Sequence, residues 1–346
     1  MRALDLHSVT TVDSIMAALA RNRVVFVGET HDRYGHHLNQ LEIIRRLHQG
    51  KPDLAIGLEF FQWPFQPVVD RYIADEIDER TFLRETEYYK RWRFDYRLYR
   101  PILQFAREHA IPVVALNVPA ELTRKVAEGG LASLSPEERA TVPAEFDRSN
   151  GSYRERIQQV YEMHRGQQAS ANFENFFESQ LLWDEGMAET AANWLRAHPK
   201  HSMVILAGSG HVMYGTGIPD RLKRRLHESS AIVLNGLEAA MEPGAGDYLL
   251  LSRDLELPRA GLMGMYLEDG DKGVTVAQVE EGSGAGEAGV KPGDRLLSID
   301  GFPIRDYADV KIAMLDREPG SMVKVVVERK ALLLGESTET LTVALH

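Results

Sequence analysis

Five short, almost uninterrupted apolar runs constrain this 346-residue chain most: Val24–Gly28 (VVFVG), Leu54–Glu59 (LAIGLE), Pro112–Leu116 (PVVAL), Met203–Ala207 (MVILA) and Ala231–Leu234 (AIVL). A strand with one wet face alternates apolar and polar residues, whereas a strand covered on both faces of a parallel sheet does not. The segments between the runs carry helical spacing, as in Leu38, Leu41, Ile43, Ile44 and Leu47 before the Gly50–Lys51–Pro52 stop. The expected fold class is α/β, with a mainly parallel central sheet flanked by helices.

Between about Ser152 and His198, Phe173, Phe176, Phe177, Gln180, Trp183, Asp184 and Met187 recur at three- and four-residue steps. That spacing predicts long helices, read either as a helical insertion or cap or as a plain aromatic core stripe. After Leu251 the texture changes to short alternating strands with Gly-rich turns, so a small β-rich second domain is expected over 256–346, behind a first domain of 1–255. Eleven of the twelve histidines precede that boundary, which assigns histidine chemistry to the first domain.

Composition narrows the function. Forty Lys+Arg against 51 Asp+Glu give a net charge of −11, which opposes long-range attraction to phosphate backbones and argues against a nucleic-acid partner. Without cysteine there is no disulfide, thiolate metal site or Cys nucleophile, so metal or haem chemistry must use His, Tyr, Met, Asp or Glu. The first 32 residues hold no basic segment followed by an apolar one, and no later run approaches the ~18 apolar residues of a membrane span, so the residues shown are expected to be soluble.

Polar clusters follow the apolar runs: Glu29, Thr30 and His31 after the first, Glu59 closing the second, Asn117 after the third and Gly208–His211 after the fourth. Ligands of open parallel sheets bind beyond the carboxyl ends of the strands, so these positions share one rim if their strands are neighbours. Glu29 and His31, two apart, point to the same side in extended backbone. With Glu59 and His211 they make a donor set suited to Zn²⁺, Mn²⁺ or Fe²⁺ and to water activation. The plain alternative is a set of strand-end side chains hydrogen-bonded to neighbouring loops.

A second candidate is GSGHVMYGTGIPDRL, residues 208–222. Gly210 would let backbone lie against a large planar ligand, and His211 and Tyr214 would share a face if a helical turn begins there. Tyr and His are both haem-iron ligands, and Met213 could form an apolar wall; the alternative is that Tyr214 is a surface or packing aromatic. Residues 88–101, YYKRWRFDYRLYRP, could offer Arg partners for propionates or form an amphipathic helix junction. His36 and His37 are expected to be solvated or capping residues.

The motifs VVFVGETHD, LAIGLEFF, VVALNVP, FENFFESQLLWDEGMAE and LAGSGHVMYGTGIP, over about residues 1–240, resemble the ChaN-like haem-binding family of the wider Tiki/TraB/erythromycin-esterase-like superfamily. That resemblance implies non-covalent binding of haem (iron protoporphyrin IX), a cofacial haem pair between the subunits of a homodimer, and a role in haem or iron uptake or handling. Tyr214 would be the iron ligand, with His211 a pocket or alternative axial residue and Met213 and Gly210 beside them. Such a protein need not be an enzyme. In Tiki-type relatives the same rim resembles a metal-dependent peptidase site, which implies a hydrolase alternative with a divalent metal such as Zn or Mn and with Glu29, His31, Glu59 and His211 as ligands or acid–base groups. Family members are commonly exported lipoproteins, so the bacterial cell envelope is the expected location, or the cytoplasm if the chain is complete.

The tail, GVTVAQVEEGSGAGEAGVKPGDRLLSIDGFPI followed by DYADVKIAML, resembles a bacterial PDZ domain. The resemblance implies capture of a partner's C-terminal peptide as an added strand, with Leu262, Met263, Gly264 and Met265 as the carboxylate loop and Val310, Ile312 and Met314 on or near the flanking helix.

Overall fold

The computed structural model describes residues 9–163, 172–236, 242–251, 254–331 and 335–346. Its contacts divide the chain into two compact units, Met1–Asp78 with Phe94–Glu256, and Glu79–Arg93 with Leu257–His346.

The first unit is built on a six-stranded parallel sheet of β1 (Val24–Glu29), β2 (Leu54–Gln62), β3 (Val113–Asn117), β4 (Ser202–Gly208), β5 (Ser230–Asn235) and β6 (Tyr248–Leu250). Their order is β3-β2-β4-β1-β5-β6. The five apolar runs are the first five strands, and β1 to β4 are buried at every residue because helices cover both faces. β6, three residues long, was not anticipated.

The segment around 152–198 forms the helices Gly151–Met163 and Phe173–Ala197; residues 164–171 lie outside the described set. Asn172 caps the second helix by accepting from the Asn175 amide. From Met187 onward this helix follows the core-stripe reading: Met187, Ala188, Ala191, Ala192 and Leu195 pack with Phe26, Leu116 and Ile205 of the sheet. Upstream, Phe177 and Leu181 close a smaller cluster with Tyr153 and Ile157 of the preceding helix. Fully burying each such side chain contributes about 1.5–3 kcal/mol. Among the described residues no helix is long and apolar enough to cross a membrane.

In the second unit an antiparallel sheet runs in the order β12-β11-β9-β8-β7, with β10 paired to β9. Its strands are β7 (Met265–Gly270), β8 (Gly273–Val279), β9 (Arg295–Ile299), β10 (Phe302–Pro303), β11 (Met322–Ala331) and β12 (Gly335–Ala344). Val310 and Ala313 of the helix Tyr307–Ala313 close its core. Residues Glu79–Arg93 belong to this unit although they lie far upstream in sequence. They meet that helix through charge, Arg84 against Asp309 and Lys90 against Asp306 at 2.7 Å.

Candidate functional site

Sheet order brings the predicted rim together. β4 lies between β1 and β2, with Glu29 in register with Gly208. Glu29 and Glu59 are 4% and 6% exposed. His31 turns back so that its Nδ1 is hydrogen-bonded to the Glu29 carboxylate, and its ring rests on Phe94 at 5.0 Å. Gly208 makes this packing possible, because a Cβ there would sit 3.0 Å from Cε1 of His31. The Gly208 amide donates to Oε2 of Glu59 at 2.6 Å.

His211, on the short helix Ser209–Val212, joins the rim from the other side. Its Nε2 is 3.4 Å from Oε1 of Glu59, and its Nδ1 is 2.6 Å from Oδ1 of Asp184. The other Asp184 oxygen accepts from the Tyr153 hydroxyl at 2.7 Å. A continuous polar chain thus runs from β2 through His211 and Asp184 to Tyr153. Burial pulls the His211 pKa down, but the Glu59 and Asp184 carboxylates outweigh it and push the ring up to about 9. His31 is also raised: the Glu29 hydrogen bond and the Glu59 charge outweigh its burial. Burial first and Asp184 second hold the Tyr153 hydroxyl well above its ordinary value, so it stays a neutral donor.

One acceptor is left over. Oε2 of Glu29 is buried without a hydrogen-bond partner. A divalent ion would satisfy it, yet among the described residues no three His, Asp or Glu side chains are arranged to hold a metal. The physical reason is that the donors face one another: Glu59 holds Gly208 and His211, and His211 holds Asp184.

His36 and His37 correct an expectation. They are 7% and 1% exposed, not solvated. Nδ1 of His36 accepts from the Thr30 amide at 3.0 Å, and burial, then the neighbouring His37, lower its pKa to about 4. Nε2 of His37 lies 3.1 Å from the His31 carbonyl, which also receives the Tyr99 hydroxyl at 3.3 Å. Both histidines brace the loop that carries His31. The 88–101 stretch is largely occupied internally: Tyr88, Tyr96 and Tyr99 are buried, and Arg91 and Arg97 pair with Glu87 and Asp95 at 2.7 Å each.

Tyr214 does not share a face with His211, because the helical turn breaks between them. Its φ of +60° and ψ of 6° are left-handed, while His211 lies inside the short helix. Tyr214 stands 37% exposed, its hydroxyl bonded to Glu242 and its ring 5.7 Å from the Arg156 guanidinium. Arg156 also donates to the carbonyls of Met213 at 2.8 Å and Gly210 at 3.3 Å. Buried Arg221 donates to the carbonyls of Thr216 and Gly217 at 2.6 and 3.0 Å and pairs with Glu185 at 3.2 Å. Asp184, Arg156, Arg221 and Glu185 are the site residues that sequence reading missed. The available signal was a pair of acids, 184 and 185, set between Leu181–Leu182–Trp183 and Gly186–Met187–Ala188.

In the second unit Gly264 has a φ of +74°, and a Cβ there would collide with Ser283. Its carbonyl accepts from Glu280 at 2.9 Å, and the Leu262 amide donates to His346 at 3.0 Å. The Met263 and Gly264 amides make no main-chain hydrogen bond among the described residues.

Residues 15–222 match the family described as haem-binding uptake, Tiki superfamily, ChaN. The chain belongs to this ChaN family. Residues 261–345 match the PDZ domain. The ChaN fold agrees with the solved structure of cofacial haem binding to ChaN of Campylobacter jejuni: TM-score 0.56, 15% identity, 70% of this chain and 92% of that one. At that identity the likeness is one of fold. Among curated proteins, RETICULATA-RELATED 5 of Arabidopsis thaliana, chloroplastic, is 24% identical over 239 residues, 62% of this ChaN chain and 31% of that protein. The periplasmic pH-dependent serine endoprotease DegQ of Escherichia coli is 28% identical over 125 residues, 36% of this chain and 25% of that protein. The chain thus spans less than a third of the length of these curated relatives.

Proposed function

We propose that this chain binds haem non-covalently in haem or iron uptake or handling, with Tyr214 as the iron ligand. Placement of Tyr214 carries the reading: an exposed phenol on a left-handed backbone, a guanidinium beside its ring and a carboxylate at its hydroxyl. Haem would supply a ferric iron that takes an anionic axial donor. Arg156 favours the phenolate by its charge, while the Glu242 carboxylate at the hydroxyl opposes it and must give up that hydrogen bond when the oxygen takes iron. Met213 and Gly210 lie on the same loop, while His211 is engaged by Asp184 and Glu59 and serves as a pocket residue. Membership of a haem-binding family supports the assignment. A homodimer sharing a haem pair, a PDZ domain that captures a partner's C-terminus through 262–265, and action at the bacterial envelope complete the proposal.

The test is haemin titration of the purified, metal-stripped chain. A saturable tyrosinate-type ferric spectrum, lost in Tyr214→Phe, is expected; featureless and unsaturable adsorption overturns the assignment. Sedimentation of the haem complex checks the dimer, and a strictly monomeric complex removes it.

The unsatisfied Oε2 of Glu29 favours a second reading, hydrolysis at the rim by Glu29, His31, Glu59 and His211. With no ligand triad there, these groups would act on water directly as acids and bases. Glu29→Gln and His31→Ala would then abolish hydrolysis of peptide or ester substrates and leave the haem spectrum intact.

A further inference from the structure

β7 is the edge strand of the second sheet, paired to β8 on one side only. An edge strand presents unpaired main-chain groups to an added strand. The inference below rests on the reading of 262–265 as a carboxylate loop. That loop precedes β7, so a peptide whose carboxylate meets the Met263 and Gly264 amides must run back along β7 antiparallel to it. Its last residue then lies opposite Met265, and each step upstream advances one residue along β7: position −1 opposite Tyr266, −2 opposite Leu267 and −3 opposite Glu268.

Strand alternation divides these four positions between two faces. Met265 and Leu267 turn inward and pack with Met314 against the domain core. Tyr266, 60% exposed, and Glu268 turn outward to solvent. Directly opposed residues of an antiparallel pair share a face. The last and −2 side chains of the peptide therefore face apolar groups, the −1 side chain lies against the Tyr266 ring, and the −3 side chain meets the Glu268 carboxylate.

Three other acids of this unit, one at the end of β7 and two at the start of the flanking helix, are already engaged. Asp269 accepts from the Tyr307 amide at 2.8 Å, Asp306 pairs with Lys90 and Asp309 with Arg84. The Glu268 carboxylate makes no hydrogen bond or ion pair among the described residues. We infer that the groove takes a partner C-terminus with an Arg or Lys three residues before the end, selected by Glu268 on the outer face of β7.

The experiment is fluorescence anisotropy of the full chain with fluorescein-labelled decapeptides of Gly–Ser leader ending Arg-Leu-Tyr-Val, Glu-Leu-Tyr-Val, or the first of these as the C-terminal amide. The Arg peptide should bind about 5- to 10-fold more tightly than the Glu peptide, the scale of one exposed cross-strand charge pair made against one reversed. The preference should invert in Glu268→Lys and shrink with added salt, and the amide should not bind. Binding that needs the free carboxylate but ignores the −3 charge, or does not invert in Glu268→Lys, overturns the inference and leaves peptide capture standing. Absence of binding by both free-acid peptides, or equal binding of the amide, overturns the capture reading and the inference together.

Discussion

Asp184 holds His211: the 2.6 Å contact between Oδ1 and Nδ1 joins the middle of the helix Phe173–Ala197 to the loop after β4, and the other carboxylate oxygen is held by Tyr153. Asp184 is 1% exposed, so its charge acts on the ring with little screening. Asp184→Asn keeps the shape and removes one of the two charges that raise His211. The ring pKa, followed by NMR of its carbon-bound protons, should drop from about 9 by ~1–2 units. An unchanged titration would show that Glu59 alone sets the value.

The two histidines shifted furthest, His211 and His36, give stability two sloping limbs, and raised His31 adds to the alkaline one. His211 is raised, so below pH ~6.5 both folded and unfolded chains hold its proton, and between there and about 9 only the folded chain does. Stability from this ring is complete below pH ~6.5 and is lost as pH rises through about 9. His36 is depressed to about 4, so its contribution is complete above pH ~6.5 and is lost as pH falls through 4. Each limb is on the order of 3 kcal/mol at 1.36 kcal/mol per unit. Urea unfolding from pH 4 to 9 should show a maximum near 6.5, with His211→Gln flattening the alkaline limb and His36→Gln the acid one.

The first sheet was legible because doubly covered parallel strands leave long apolar runs, and the rim because each run ends on chemistry-bearing residues such as Glu29 and Glu59. The His211–Asp184 pair spans 27 positions and was hidden, since 184 reads as one more position in the stripe from Phe173 to Met187. Of the two readings of His36 and His37, solvated or capping, the first fails because helix-start histidines carry no mark of burial; only the bonds to Thr30 and the His31 carbonyl reveal it. The grouping of Glu79–Arg93 with the PDZ-matching residues had no local signal, because its ties to Asp306 and Asp309 are charge pairs more than two hundred residues apart.

Glu185 is fully buried and meets Arg221 at 3.2 Å, Arg224 at 3.0 Å and Arg225 at 2.7 Å. Arg221 in turn fixes the carbonyls of 216 and 217, next to Tyr214. Glu185→Gln leaves the buried Arg221 guanidinium without its counter-charge, and breaking such a pair costs about 3–5 kcal/mol. Denaturant melts should report that loss, and haemin affinity should weaken with it as the loop loosens. A variant as stable as the parent would show that Arg221 is compensated by its backbone acceptors alone.

Tyr214 separates function from stability most cleanly. A non-glycine residue at φ +60° carries a backbone cost of ~1–2 kcal/mol, and strain of this kind persists where a side chain is needed in one place. Tyr214→Gly relieves that cost but also deletes an aromatic side chain that, at 37% exposed, is still mostly covered. The two effects oppose each other at similar size, so thermal melts should place Tyr214→Gly within ~1 kcal/mol of the parent, while the tyrosinate-type haem spectrum disappears. Tyr214→Phe, which keeps the ring and the strain, should lose the same spectrum without relieving the backbone. If the glycine variant were instead strongly destabilised, the Tyr214 ring would be a packing element held by Arg156, and its left-handed backbone would no longer speak for ligation.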